Sequence, residues 1–433
     1  MTEPKQTAVI VQRVDPKETP DTDEIKSLAH SAGYEAATMI TQSRKEDSDY
    51  HVGSGKVADL HHHVSQNKAG TVIFDNILDP QQKYNLGLYL PTDVEVLDRY
   101  KLILDIFEQR ATTRKAQLQV ELARLRYELP RADTKQHLAT KDERPGFMGL
   151  GEYDETRKND IKQRIRRIKN ELDSIEHTNQ RRREQRRKAG FDLVALAGYT
   201  NAGKSTLLQR LADDLTVGEN DAQHDDIDPT AEATNSLFTT LDTTTRRMDY
   251  QKRDVLITDT VGFISDIPNW LVDSFESTLD SVYRADLVLL VADVSEPIDE
   301  IREKLMSCHD TLRKRNKAPV VTVLNKVDAV GEEELERKER ALKAIAPNPI
   351  RASALEGNRV EPLKQRINSE LPPLKHERLQ LPMTNNTMSL VSHIHDNTYV
   401  RDTEYYNDAI VLDFKAPEAV VSKIRHKVTT LTE

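Results

Sequence analysis

Residues 193–208 read Leu-Val-Ala-Leu-Ala-Gly-Tyr-Thr-Asn-Ala-Gly-Lys-Ser-Thr-Leu-Leu, and no other stretch restricts the fold so tightly. A short apolar run enters a glycine-framed loop, and the opening of a helix follows at once. Gly198, Gly203, Lys204 and Ser205 satisfy the spacing G-x-x-x-x-G-K-[ST] in the strand, loop and helix setting that gives it meaning. The glycines let backbone N–H groups turn inward around a polyphosphate, and the helix N-terminus adds the positive end of its dipole. On this reading Gly198, Tyr199, Thr200, Asn201, Ala202, Gly203, Lys204, Ser205 and Thr206 form the phosphate cradle. Lys204 reaches the β- and γ-phosphates, and the Ser205 hydroxyl takes one position on Mg²⁺. A chance glycine-rich turn is the bland alternative, to be weighed against what stands downstream.

Residues 190–371 alternate apolar strands with helices, the clearest strands being Leu193 to Ala197, Val255 to Thr258, Leu287 to Ala292 and Val320 to Leu324. That alternation is the pattern of a doubly wound sheet whose loops at the strand C-terminal ends form a ligand crevice. Asp259-Thr260-Val261-Gly262 follows the second of these strands; the Asp259 carboxylate can hold Mg²⁺ through water, and the Gly262 N–H can meet a γ-phosphate. Asn325-Lys326-Val327-Asp328 follows the fourth, and a carboxylate at Asp328 accepts from the guanine N1 and N2 donors that adenine does not offer together. Ser353 and Ala354 stand where a backbone N–H meets guanine O6. Phe238-Thr239-Thr240-Leu241-Asp242 lies where a switch threonine, Thr240, is expected to reach the metal and the γ-phosphate. Each tetrapeptide alone is weak, whereas all of them in this order are strong.

Upstream, residues 7–14, 23–32, 34–41, 55–67 and 71–74 alternate strand and helix, which implies a parallel α/β unit over the first 96 residues. Within it Gly53-Ser54-Gly55-Lys56 reads as a helix-entry turn more readily than as an anion site, and consecutive His61, His62 and His63 cannot share one helix face around a metal. From Leu97 to Leu129 a long helix is expected, with Leu118, Leu122, Leu125 and Leu129 at coiled-coil spacing and Pro130 as its stop. A second helix over 157–186 carries Ile161, Ile165, Ile168, Leu172 and Ile175 at the same spacing, so 97–188 reads as an antiparallel hairpin with a long loop at 130–156. Residues 157–188 hold 13 Lys or Arg against 5 Asp or Glu, which points to a phosphate-backbone contact rather than a merely solvated face. The third domain spans 189–372. Residues 213–232 carry 8 acidic side chains with no Lys or Arg and read as a mobile solvated insertion. From 376 to 433 the runs Met388-Ser389-Leu390-Val391 and Ala409-Ile410-Val411-Leu412, then a helix from Pro417, suggest a small α/β appendage.

The whole is thus an α/β chain in which a P-loop doubly wound domain is joined to an N-terminal α/β domain, a helical hairpin and a small C-terminal α/β domain. A net charge of −10 excludes a generic polyanion binder, so nucleic-acid contact must be local to a patch such as the hairpin. One cysteine, Cys308, excludes an internal disulfide framework, and the chain lacks an 18-residue apolar run, so a cytoplasmic protein without a membrane span is expected.

With these residues in view the chain resembles the HflX family of translational GTPases, within the Obg-like group. Residues 198–206, 237–242 and 259–264 look like its GTPase boxes. Asp98-Arg99, the run 102–107, Gln119 to Ala123 and Pro130-Arg131 resemble its helical domain, and Val52 to Lys56 with Asp75-Asn76 to Asn85-Leu86 its N-terminal domain. The resemblance implies GTP hydrolysis coupled to binding of the large ribosomal subunit, with ribosome dissociation or rescue as the task, and ATP binding through the N-terminal domain. The family's glycine-rich interhelical run is reduced here to Gly149-Leu150-Gly151-Glu152. The acidic insertion and net acidity point to a salt-adapted archaeal source.

The expected mechanism is a Mg²⁺-dependent GTPase switch, acting as a monomer, with Lys204, Thr240 and Gly262 as catalytic groups. Ser205, Thr240 and Asp259, the last through water, hold the metal; Asn325, Lys326 and Asp328 with Ser353 and Ala354 select guanine. Many GTPases place a water-orienting Gln after the glycine of the third box, and here that position is Phe263. Hydrolysis without a partner is therefore expected to be slow, with ribosomal RNA or protein supplying the missing group. A GTP-gated ribosome-binding module, in which hydrolysis only resets binding, and an ATP-using RNA remodeller are the alternatives.

Overall fold

The computed structural model describes residues 6–17, 20, 22–139, 150–212, 244–250, 253–260, 262–263, 281–313, 315–357 and 359–432, with side chains described for all of these except 131–139, 150–157, 385–386 and 430–432. Thr240, the acidic run 213–232 and residues 140–149 of the interhelical loop lie outside the described residues.

The first strands are short apolar runs, and they pair in parallel. β1 (Gln6–Val14), β2 (Tyr34–Ser43), β3 (Thr71–Phe74) and β4 (Glu95–Asp98) make a sheet of order β2-β1-β3-β4, crossed by α1 (Asp23–Ser31), α2 (Ser54–Asn67) and α3 (Pro80–Tyr89). Val9, Val11, Leu60, Val72, Phe74 and Leu86 fill one face. The Gly53 N–H donates to Gln42 Oε1 at 2.9 Å, so this turn spends its first backbone donor inside the domain. His61 and His62 are exposed on α2.

The single helix expected from Leu97 is divided. Leu97 and Asp98 belong to β4, and α4 (Arg99–Arg110) starts because the Asp98 carboxylate caps it, accepting from the Lys101 N–H at 2.9 Å. The Thr113 hydroxyl accepts from the Ala116 N–H at 3.2 Å and opens α5 (Arg114–Ala139) after a break. Pro130 does not end α5: a proline forfeits one intrahelical bond, and the helix runs on through it to Ala139. α6 (Leu150–Ala189) is longer at both ends than its apolar pattern indicates, so part of the expected 130–156 loop is helical. Leu118, Leu122 and Leu125 meet Ile165, Ile168, Leu172 and Ile175. Arg114 pairs with Glu171 at 2.8 Å, and one heptad on Glu121 pairs with Arg164 at 2.7 Å, a register only antiparallel helices can make.

β5 (Asp192–Gly198), β6 (Thr245–Tyr250), β7 (Arg253–Asp259), β8 (Leu287–Asp293), β9 (Val320–Asn325) and β10 (Ile350–Arg351) form a sheet of order β10-β9-β8-β5-β7-β6, parallel except at the β6 edge. Its central strands are apolar without alternation because helices cover both faces. α7 (Lys204–Leu211) and α10 (Val360–Glu370) share one core with Leu196, Val291 and Val323. α8 (Ile298–Arg313) and α9 (Glu332–Leu342) share the other with Ala195, Leu290 and Leu324. The chain leaves β5 toward β7 on one side and β8 on the other, and the crevice opens at that reversal.

The last unit is an antiparallel sheet of order β11-β13-β12, from β11 (Lys375–Pro382), β12 (Tyr399–Tyr405) and β13 (Ala409–Ala416), with α11 (Asn385–Asn397) and α12 (Glu418–Thr432) against it. Met388 to Val391, expected as a strand, lies in α11. Thr384 and Thr387 form a capping box at its start, and Leu390, Val391 and Ile394 recur at helical rather than alternating spacing. Among the described residues no helix is long and apolar enough to cross a membrane.

Candidate functional site

The phosphate-loop geometry follows from two glycines. Gly198 ends β5 at φ +143°, and a Cβ there would stand 2.2 Å from the Val291 carbonyl oxygen of β8, a backbone atom that cannot swing away. Gly203 has φ +88°, with the Asn325 amide 2.3 Å from where a Cβ would be. Asn201 takes the left-handed conformation at φ 63° between them. The loop therefore closes over Lys204, whose ammonium donates to the Gly198 and Tyr199 carbonyls at 3.1 and 2.7 Å. Burial pushes the Lys204 pKa down, and the nearby Asp259 carboxylate offsets part of that.

Ser205 and Asp259 come together as their residue types require of a metal pair. The Ser205 hydroxyl donates to Asp259 Oδ2 at 2.6 Å, and Asp259, at the end of β7, is fully buried. A hydroxyl and a carboxylate converging beside a lysine are a hard oxygen donor set suited to Mg²⁺. The segment after β7 returns across the loop: the Thr200 N–H donates to the Phe263 carbonyl at 2.9 Å, and the Phe263 N–H to the Gly198 carbonyl at 3.0 Å. Gly262 sits so close that a Cβ would stand 2.8 Å from both Lys204 Nζ and Thr200 Cγ2. The Phe263 ring packs toward the core shared by α8 and β8.

At the other end of the crevice Asn325 is a clip. Its side-chain N–H donates to the Ala202 carbonyl at 2.8 Å, and its oxygen accepts from the Ala354 N–H at 3.0 Å. Lys326 turns the chain at φ 63°, and its ammonium pairs with Asp293. Asp328 is exposed and accepts from the Ser353 hydroxyl, which also accepts from the Glu356 N–H at 3.1 Å. Lys204, Ser205, Asp259, Asn325, Asp328, Ser353 and Ala354, spread over some 150 residues of sequence, thus line one side of the sheet.

Three further groups were not singled out from the sequence. Asp293 closes β8 and holds both Lys326 and the Ser295 N–H, the latter at 2.9 Å; a carboxylate ending a wholly apolar strand was its signal. Arg210 on α7 donates to the Ala354 and Leu355 carbonyls at 3.0 and 2.7 Å. Lys304 lies 5.0 Å from the Tyr199 ring centre and pairs with Glu296 at 2.6 Å. No sequence pattern marks those two.

On α6 several cations are committed locally: Arg164 to Glu121, Arg183 to Glu176 and Arg187 to Asp286. Arg166, Arg167, Lys169, Arg181, Arg182 and Lys188 are exposed.

A sheet of order 6-5-4-1-3-2 counted within the domain, parallel but for its edge strand, a closed phosphate loop and a guanine-type Asn-Lys-Val-Asp turn define a P-loop GTPase. Three family models cover the chain in succession, described as GTP-binding GTPase N-terminal over residues 19–108, GTP-binding GTPase Middle Region over 110–186 and 50S ribosome-binding GTPase over 193–326. The GTPase HflX of Thermococcus kodakarensis is 41% identical over 80% of this chain and 76% of its own length. Those of Methanocaldococcus jannaschii and Escherichia coli are 38% identical over 93% of this chain and 94% of their own, and 35% over 84% and 83%. The chain belongs to the HflX family of GTPases, and it is a GTP-binding GTP hydrolase. A solved GTP-binding protein from Sulfolobus solfataricus in complex with GDP aligns at 24% identity and TM-score 0.46, over 84% of this chain and 98% of that one.

Proposed function

We propose that this chain is a Mg²⁺-dependent GTPase switch that associates with the large ribosomal subunit and acts in ribosome dissociation or rescue. The observation that carries the switch is the 2.6 Å contact of Ser205 with Asp259 beside buried Lys204. Lys204 and the amides of residues 198–206 hold the phosphates and stabilise the charge that develops on them. Ser205, Thr240 and Asp259, the last through water, would hold Mg²⁺, which would neutralise charge on the phosphate oxygens. Gly262 offers its N–H to the γ-phosphate. Asn325 braces the base-binding turn through the Ala354 N–H, Asp328 accepts from guanine N1 and N2, and the Ser353–Ala354 loop stands beside O6. Phe263 cannot order a water by hydrogen bonding, so turnover is slow until a partner contributes a group.

The ribosomal part is supported by the family model described as 50S ribosome-binding and by the exposed cations of α6, which suit an RNA backbone. Labelled GDP titrated into purified protein with Mg²⁺ should bind saturably, and ATP should fail to compete. Equal competition by adenine nucleotide overturns guanine selection. Sedimentation with isolated subunits should show GTP-dependent association with the large one, weakened when Arg181 and Arg182 are changed to Gln.

A further inference from the structure

We propose that a cleft formed by α11, α12, the end of α6 and β7, remote from the phosphate loop, is a second phosphate-group site. It measures about 130 Å³, and Gly190, Asp254, His393, Asn397, Lys423 and Lys427 line it. Each C-terminal helix contributes two polar groups one turn apart: His393 and Asn397 from α11, Lys423 and Lys427 from α12. Neither lysine has an ion-pair partner among the described residues. The one carboxylate in the lining is already engaged, since Arg247 Nε donates to Asp254 Oδ1 at 2.7 Å. Two ammonium groups thus face a cleft in which Asp254, the carboxylate of its described lining, is answered elsewhere.

The histidine adds a neutral donor. Asn397 Nδ2 lies 3.1 Å from His393 Nδ1, so that nitrogen accepts and the ring proton resides on Nε2. Burial, then the Lys427 and Lys423 charges, push the His393 pKa down, and the Asp396 carboxylate offsets part of this. Two ammoniums and an imidazole N–H match a phosphate dianion, which answers both charges and offers several acceptor oxygens; a single carboxylate would leave one ammonium unanswered. The cleft is built rather than incidental. Gly190 turns at φ +101°, and α12 seats on it so closely that a Cβ would stand 2.3 Å from Val420 Cγ2. The phosphate could be free or part of an RNA backbone, and the chemistry is the same.

The test uses the full chain saturated with GDP and Mg²⁺, so that the phosphate loop cannot take up the probe. Radiolabelled inorganic phosphate in equilibrium dialysis should bind at one saturable site, weakened by about tenfold or more in a Lys423→Gln/Lys427→Gln variant whose GDP affinity is unchanged. Asn397→Asp, which leaves both lysines and adds a carboxylate, should weaken it as well. Displacement by a short RNA assigns the phosphate to a nucleic-acid backbone, and displacement by pyrophosphate alone assigns it to a free anion; both support the site. No saturable uptake by the GDP-loaded protein, uptake unaltered in both variants, or displacement by a glutamate-rich peptide as effective as by pyrophosphate overturns it.

Discussion

Replacing Asn325 by Ala should damage the nucleotide site without touching any group that meets the nucleotide's phosphates. The side chain bridges the Ala202 carbonyl and the Ala354 N–H, and the bridge is 1% exposed while the two alanines are 2% and 3% exposed. Truncation therefore strands one buried acceptor and one buried donor, at ~1–3 kcal/mol each. A water entering the vacated space would satisfy part of this, so about 2–4 kcal/mol is expected in total. At 1.4 kcal/mol per decade the whole sum, borne by binding, is a loss of roughly 30-fold to several hundred-fold in GDP affinity. The loss divides between folding and binding according to how far the two loops stay closed without ligand. The urea midpoint of the ligand-free protein and the Kd for labelled GDP must therefore be read together. Asn325→Asp sharpens the test: it keeps an acceptor for the Ala354 N–H but sets a carboxylate oxygen against the Ala202 carbonyl, so it should be no better than Ala. If both variants keep the wild-type midpoint and bind GDP within about twofold, the clip contributes nothing and the reasoning fails.

Two other outcomes follow from particular contacts. Phe263→Gln should not speed partner-free GTP turnover by more than about twofold, because the ring packs toward the α8 core rather than over the crevice, and it should lower the thermal midpoint; a rise of ten times or more, in single-turnover assays, would mean that this side chain reaches the attacking water. His51 is buried beside Arg13 and Glu46, Arg13 Nε lying 3.1 Å from its Nε2, and burial holds its pKa below the ordinary histidine value. The folded state thus resists protonation, so stability present above the unfolded pKa near ~6.5 is lost as the pH falls through and below it. Urea midpoints between pH 7.5 and 5.5 should fall more steeply for the wild type than for His51→Gln, and equal slopes would refute this.

Residue order alone marked the phosphate loop, Asp259 and the Asn325–Asp328 turn as candidates, because each is a local pattern: a turn of backbone amides cannot be assembled from distant pieces. What sequence could not show was closure between them. That Asn325 clasps Ala202, or that Arg210 holds the Ser353 loop, depends on which strands become neighbours, and no spacing encodes it. The hairpin shows the same division. The isoleucine and leucine seam was legible at heptad spacing, whereas the break at 111–113 was hidden, since Asp98 and Thr113 act as caps only once β4 ends where it does. Pro130 misled for the converse reason: a local penalty was overridden within a long helix. Met388 to Val391 failed on period, four apolar-leaning residues being too few to separate a strand from one turn of helix.

The end of α6 constrains how any nucleotide signal can reach the basic helix. Arg187 donates to the Arg284 carbonyl and to Asp286 Oδ1, both at 2.7 Å, and the other oxygen of Asp286 accepts from the Leu193 N–H at 2.8 Å. This fastening grips the beginning of β5, whereas the phosphate loop leaves its end at Gly198, some ~20 Å away for a strand of this length. Arg187 is thus tied to the pole of the sheet opposite the phosphate loop. Neither Gly262 nor Lys204, the groups expected to meet a γ-phosphate, is among the partners of Arg187, so a nucleotide signal has no direct contact with this fastening. Any nucleotide dependence of binding through this helix must rest on contacts other than this fastening, because a ligand shifts an equilibrium only through contacts that differ between its states.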